Sequence, residues 1–321
     1  MVVSVISLVV LVALVVFGAW LAQRAWGMSH AIWRWIGGLL AGLVTLILAL
    51  VTIVAVIGFI KLYTPASNPA PDIQVAKNSD QIARGAKLAN ICATCHSTAG
   101  RPPLDGGTNN YMGPLGSLYP PNLTPAGPLK DWSDGQIFRA VREGVDNTGR
   151  PLLVMPSDQF HIMSDADVQA LVAYLRSQPA DPHETPPVSP NLLGAVIIGL
   201  GVFPTSQQPS ITQPLVAPPD GTAGHGQYLV GISGCRVCHG ADLTGGNPAG
   251  FTAVGPNLTV LIPKWSQADF VQEMRTGIDP TGHVLSDQMP WKQFSAAFGD
   301  GELGDIYKYL HGLKPVVKSS K

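Results

Sequence analysis

Two runs without a charged residue fill most of the first sixty positions, Val2 to Ala22 and Ile36 to Ile60. Both are almost wholly apolar, and at about 1.5 Å per helical residue each can cross a hydrocarbon core of about 30 Å. A secretory signal peptide would carry a basic stretch ahead of the first run. Here the first charge is Arg24, behind it, so a retained helix is preferred over a cleaved one. The link between the runs holds Arg24 and Arg34 and no acid, and the positive-inside rule places it in the cytoplasm. Trp20, Trp26, Trp33 and Trp35 surround that link, where an interfacial aromatic belt belongs. Residues 1–63 are thus expected to form two transmembrane helices with a short cytoplasmic loop, leaving everything after Lys61 outside.

Beyond the apolar runs the pattern changes. A Pro-rich spacer covers residues 64–79. Then one series of features occurs twice, in the same order. Each copy opens with a short helical stretch holding Gly then Leu, Gly85 and Leu88 or Gly226 and Leu229. Pro-Asn-Leu-Thr follows at Pro121 and Pro256, then Trp-Ser at Trp132 and Trp265. Arg142 to Asp146 and Arg275 to Asp279 share Arg-x-Gly-aliphatic-Asp, and Met-Pro follows at Met155 and Met289. The interval from the Pro-Asn-Leu proline to the Met-Pro methionine is 34 residues in one copy and 33 in the other. Each copy ends in an amphipathic helix, with Val168, Leu171, Val172 and Leu175 or Leu303, Ile306, Tyr307 and Leu310 on one stripe. Ser164 with Asp167 makes a capping-box-like start for the first. The copies are placed at 80–178 and 223–315, with a tail at 316–321. Residues 179–222 form a Pro-rich connector containing an apolar island, Leu192 to Phe203. Twelve residues are too few to cross a bilayer, so the island is expected to pack between the two modules. Left exposed, it would be a contact for a partner or a membrane.

Composition adds little to this picture. The 321 residues allow two or three modules, and a net charge of −1 gives no sign of nucleic-acid binding. The 35 glycines and 28 prolines favour loop-rich modules. The four cysteines change the picture more. They form two Cys-x-x-Cys pairs, Cys92/Cys95 and Cys235/Cys238, each followed directly by a histidine, His96 or His239. A lone pair of this kind suits a redox dithiol or half of a zinc site. With the histidine it becomes the signature of c-type haem attachment.

Taken together, the pattern resembles class I cytochromes c in both copies. The resemblance implies an all-α fold: two tandem class I cytochrome c domains preceded by a two-helix transmembrane hairpin. It implies two haem c groups, covalently attached through Cys92 and Cys95 and through Cys235 and Cys238. His96 and His239 match the family's proximal iron ligands, and Met155 and Met289 match the sixth. Met112, Met163 and Met274 lack counterparts, as do His161, His183, His225 and His283. In the family the proline carbonyl of Gly-Pro-Asn-Leu holds the ligating histidine. Pro256 matches fully, whereas Pro121 follows Pro120 in place of glycine. Trp132, Trp265, Arg142 and Arg275 recur in register and are candidate partners for haem propionates, with ordinary packing as the alternative. The first and last helices of such a module cross at glycine, here Gly85 or Gly226 near Tyr174 or Tyr309. A module of about 95 residues buries a modest core, so poor folding without haem is expected.

With both irons six-coordinate, the chain would relay single electrons and catalyse nothing itself. It resembles the di- and tri-haem cytochrome subunits of membrane dehydrogenases, and more distantly the di-haem subunit of cbb-type oxidases. Expected partners are the membrane and other electron-transfer proteins or subunits of a respiratory or photosynthetic complex. The expected location is a bacterial cytoplasmic membrane with the haem domains on the periplasmic side. A di-haem cytochrome c peroxidase-like enzyme is the alternative, and it would need one haem that opens to peroxide.

Overall fold

The computed structural model describes residues 2–246 and 254–316, and within them helix predominates. The expected tail beyond residue 316 lies outside the described residues. Helices α1 (Val2–Trp26) and α2 (Ala31–Tyr63) are both long and apolar enough to span a bilayer. They pack along each other. Gly18 leaves room for Thr45, and Gly38 for the Trp26 ring, which meets Trp35 edge-on at 4.9 Å. Their outer faces show large apolar side chains to the surroundings, among them Phe17, Leu39, Ile47 and Ile53.

The first repeat builds α3 (Ser79–His96), α4 (Asp134–Glu143), α5 (Ser157–Phe160) and α6 (Asp165–Ser177). Within the connector lies α7 (Leu192–Gly199). The second repeat builds α8 (Ala223–Ile232), α9 (Cys235–His239), α10 (Leu258–Leu261), α11 (Gln267–Thr276), α12 (Trp291–Ala297) and α13 (Asp300–His311). The motif of the second copy thus has its own short helix, α9, after a break at Gly234 (φ 71°), whereas α3 runs unbroken into the first.

Local chemistry explains the helix ends. Asn78, Ser164 and Thr222 cap α3, α6 and α8 by accepting a backbone N–H three residues on. Ser133 with Gln136 and Ser266 with Asp269 close capping boxes on α4 and α11, and Gly144 and Gly277 end those helices in the left-handed region. First and last helices of each copy then cross at glycine. A Cβ on Gly85 would lie 1.9 Å from the Ala170 carbonyl oxygen and 2.7 Å from Tyr174 Cβ; one on Gly226 would lie 1.8 Å from the Asp305 carbonyl oxygen, one turn before Tyr309. Only hydrogen fits at either crossing.

The recurring arginines bond to the protein itself in both copies. Arg142 donates to the Met163 carbonyl at 2.9 Å and pairs with Asp165 at 2.6 Å, with its guanidinium 4.3 Å from the Phe138 ring centre. Arg275 donates to the Phe298 carbonyl at 2.9 Å and to Asp300 at 2.7 Å. Both therefore tie the α4-type helix to the start of the last helix. A backbone carbonyl and a carboxylate partner each guanidinium, while Arg142 Nε is buried with no partner among the described residues.

The copies face each other with reciprocal contacts. Arg84 on α3 reaches Asp167 at 2.8 Å and also Glu302 on α13, while Tyr228 on α8 donates to Asp167 at 2.6 Å. Gln159 on α5 packs against Gly234, next to Cys235, and Gln293 on α12 donates to the Gly100 carbonyl at 3.1 Å, just past His96. Each Met-Pro helix thus abuts the motif of the other copy. One apolar core runs through both, from Leu88 and Val172 to Leu229 and Leu303.

The apolar island does not lie between the copies. It forms α7, which packs against the end of α2. Short strands β1 (Gly116–Ser117) and β2 (Ser189–Pro190) pair antiparallel and fix its near end to the first copy. The reason is steric. The inter-copy seam is already filled by α3, α5, α8 and α12, and the apolar surface left for α7 to meet belongs to α2.

Candidate haem sites

Cys92, Cys95 and His96 occupy the end of α3, so both thiols and the imidazole share one face. His96 Nδ1 lies 2.9 Å from the Pro121 carbonyl oxygen. A carbonyl only accepts, so Nδ1 carries the proton and Nε2 keeps its lone pair for a ligand. The second copy repeats this bond: His239 Nδ1 lies 2.9 Å from the Pro256 carbonyl oxygen. Burial holds both imidazoles below the usual histidine range, which favours the neutral, ligating form.

The two copies reach that bond by different local routes. A Cβ on Gly255 would lie 2.6 Å from His239 Nδ1, so the second copy needs glycine there. In the first, Pro120 turns its carbonyl to the Gly107 amide, and Gly107 is bare so that Pro120 and the Cys95 carbonyl can approach. The loop expected to differ does differ, without changing the histidine's partner.

His96, Cys92, Cys95 and Met155 line one largely apolar cavity with Trp132, Phe160 and Leu175. Met155 is presented by a turn in which Val154 has φ 62°, a left-handed conformation that costs a β-branched residue about 1–3 kcal/mol. Pro156 (φ −79°, ψ 55°) and Pro290 (φ −80°, ψ 50°) follow the methionines in matching conformations. Met155 and Met289 both border the apolar core. Met112, Met163 and Met274 are buried packing residues. Among the unmatched histidines, His161 meets the Arg142 carbonyl and His225 meets Asp305 at 2.9 Å. Trp265 is buried beside Tyr307, which donates to its carbonyl.

The alternatives to haem fit poorly. As a free thiol, Cys92 is pushed up to about 12 and Cys235 to about 11 by burial, whereas a redox dithiol needs an accessible thiolate. Among the described residues no three His, Cys, Asp or Glu side chains gather as a metal site, so zinc lacks its donors. The donor set that is present, two thiols, a tautomer-fixed imidazole and a thioether on an apolar cavity, suits covalent haem.

Some lining residues escaped sequence reasoning. Leu62 and Tyr63, at the end of α2, form part of the cavity wall, as do Tyr111 and Arg150. Arg150 pairs with Asp146 at 3.2 Å and stands 5.7 Å from the Tyr63 ring centre. Asp146 and Asp279 each accept from a Thr amide and hydroxyl two residues on, within matching Asp-x-Thr-Gly turns. That repeated turn was a legible signal. The residue after it is Arg150 in one copy and His283 in the other.

The cytochrome c family model matches residues 82–179. The chain is 30% identical over 263 residues to a nicotinate dehydrogenase subunit from Pseudomonas putida, covering 72% of this chain and 21% of that protein. It is 29% identical over 276 residues to the cytochrome c subunit of a quinone-type alcohol dehydrogenase from Gluconacetobacter polyoxogenes, covering 75% and 58%. It is 31% identical over 193 residues to the gluconate 2-dehydrogenase cytochrome c subunit of Pantoea cypripedii, covering 57% and 42%. The chain thus spans under two thirds of the length of these relatives. Residues 82–179 thus carry a cytochrome c domain, and the chain as a whole resembles the cytochrome c subunits of dehydrogenases. The likeness is to electron-transfer subunits rather than to catalysts.

Proposed function

We propose that this chain is a membrane-anchored di-haem cytochrome that relays single electrons within a dehydrogenase complex. The observation that carries this reading is the duplicated site: two Cys-x-x-Cys-His motifs, each with its histidine 2.9 Å from the carbonyl of an equivalent proline and each followed by Met-Pro. Haem bound there supplies a one-electron iron couple.

The chain's residues would do the rest. Cys92 and Cys95, and Cys235 and Cys238, form the thioether links. Pro121 and Pro256 orient His96 and His239. Met155 and Met289 would be the second iron ligands, and a thioether ligand would favour the ferrous state and raise the potential. Arg150, on the cavity wall, joins Arg142 as a candidate counter-charge for a propionate. The apolar walls exclude water. The contacts of α5 with α8 and Gly234, and of α12 with α3, would hold the two sites in one path. Helices α1 and α2 anchor the chain, with Arg24 and Arg34 on the cytoplasmic side and both sites on the periplasmic side. Electrons would enter from a catalytic subunit and leave for a membrane acceptor.

The test is optical and paramagnetic resonance on the oxidised, detergent-purified holoprotein. Two low-spin ferric signals, a far-red methionine-to-iron band and no peroxide turnover are expected. A high-spin signal with peroxide turnover would support the peroxidase-like alternative instead.

A further inference from the structure

No charged residue lies between Glu184 and Asp220, and α7 sits inside that stretch with the sequence LLGAVIIG. Its two sides differ. One side meets α2 backbone to backbone: a Cβ on Gly58 would lie 1.9 Å from the Ala195 carbonyl oxygen, and one on Gly199 would lie 2.1 Å from the Val54 carbonyl oxygen. Ala195 and Gly199 on α7, and Val54 and Gly58 on α2, stand four residues apart on facing stripes. Small residues at this spacing are how helices approach closely in lipid. Lys61 closes the contact by donating to the Gly199 carbonyl at 3.0 Å, at the negative end of α7.

The near end of α7 is held by the first copy. Asn191 caps it and donates to the Pro114 carbonyl at 2.8 Å, and Gly194 packs on the Leu115 carbonyl. The opposite side carries Leu193 (54% exposed), and Leu200 (59%) and Val202 (62%) follow just past the helix end; all three are left exposed by the described residues. On α2, Ile53, Ile57 and Ile60, next in sequence to the Val54, Gly58 and Lys61 contact positions, are exposed as well.

Depth follows from the sequence. The apolar run of α2 begins at Ile36, and about twenty residues at about 1.5 Å each fill a core of about 30 Å. Val54 to Lys61, the contact with α7, therefore falls at the outer edge of the hydrocarbon. An eight-residue helix cannot span, but it can lie in that edge.

We propose that α7 is a lipid-embedded interfacial helix, which with Leu193, Leu200 and Val202 in the acyl region of the outer leaflet clamps the first haem module to the membrane surface. Lipid is the occupant because exposed apolar side chains flank the contact on both helices and no charge lies between Glu184 and Asp220. The first site, walled by Leu62 and Tyr63, is then the membrane-proximal one.

The inference rests on the anchor reading, so the test separates the two. Leu193→Cys, Leu200→Cys, Ile53→Cys and Val216→Cys are each spin-labelled in the full-length holoprotein, which is reconstituted alone in phosphatidylcholine–phosphatidylglycerol nanodiscs. Relaxation by molecular oxygen is compared with relaxation by a water-soluble nickel chelate. Positions 193 and 200 are expected to follow position 53, with oxygen the stronger relaxant, and position 216 is expected to show the reverse. Nickel-dominated relaxation at 193 and 200 with oxygen-dominated relaxation at 53 overturns this inference and leaves the anchor standing. Shielding of 193 and 200 from both reagents, as by a second copy of the chain, overturns it too. Nickel-dominated relaxation at 53 removes the anchor itself, and this inference with it.

Discussion

The histidine–proline contact is the smallest unit on which the site depends. Because each carbonyl fixes the proton on Nδ1, the free Nε2 is set before any ligand arrives. Met155→His and Met289→His should each remove part of the far-red methionine-to-iron band and lower the potential of one site; a band unchanged in both variants would refute the assignment. Glu273 gives a separate, pH-dependent prediction. Burial, with nearby Asp279, pushes its carboxyl up to about 7. The folded chain then holds a proton that the unfolded chain has released, so stability falls as pH rises from about 4.5 through about 7. Glu273→Gln should flatten the wild-type fall in Tm across that same interval, and an unchanged slope would show that Glu273 ionises normally. At this scale the sequence was informative where chemistry was repeated. The cysteines, histidines and Met-Pro pairs were legible because their spacing recurs. Arg142 and Arg275 recur as well, and in the fold they share the role of tying α4 to α6 and α11 to α13.

Helices meet here through missing side chains. Gly85→Ala and Gly226→Ala would each drive a methyl into a carbonyl less than 2 Å away, where neither partner helix can yield without moving. Overpacking of this kind costs typically about 1–3 kcal/mol, so each variant should unfold several degrees below wild type in calorimetry of the holoprotein. An unchanged Tm would mean that the crossings are looser than described. Periodicity predicted α6 and α13, since their stripes are regular, and Ser164 marked the start of α6. It said little about α7. An eight-residue apolar segment flanked by prolines has no polar face to give its orientation, and its neighbour, α2, lies about 130 residues back in the chain. The seam was likewise invisible, because Arg84, Asp167, Tyr228 and Glu302 look like ordinary surface residues until the two copies face each other.

Seen whole, the chain is an apolar hairpin followed by two copies of one sequence pattern joined by a charged seam, and the proposed relay makes each copy a haem module. Arg84→Ala should loosen the seam without touching either site: faster proteolysis between the modules with an unaltered spectrum is expected, and unchanged proteolysis would show that the seam is held by packing alone. The relay as a whole requires that each Cys-x-x-Cys-His motif anchor a haem of its own. Intact-mass measurement of the purified chain under denaturing, reducing conditions decides that point, because only covalently held haem survives. The expected mass is that of the polypeptide plus two haem groups, falling to one haem in the Cys235→Ala/Cys238→Ala double variant. A wild-type chain that carries a single haem, or none, would contradict a di-haem relay.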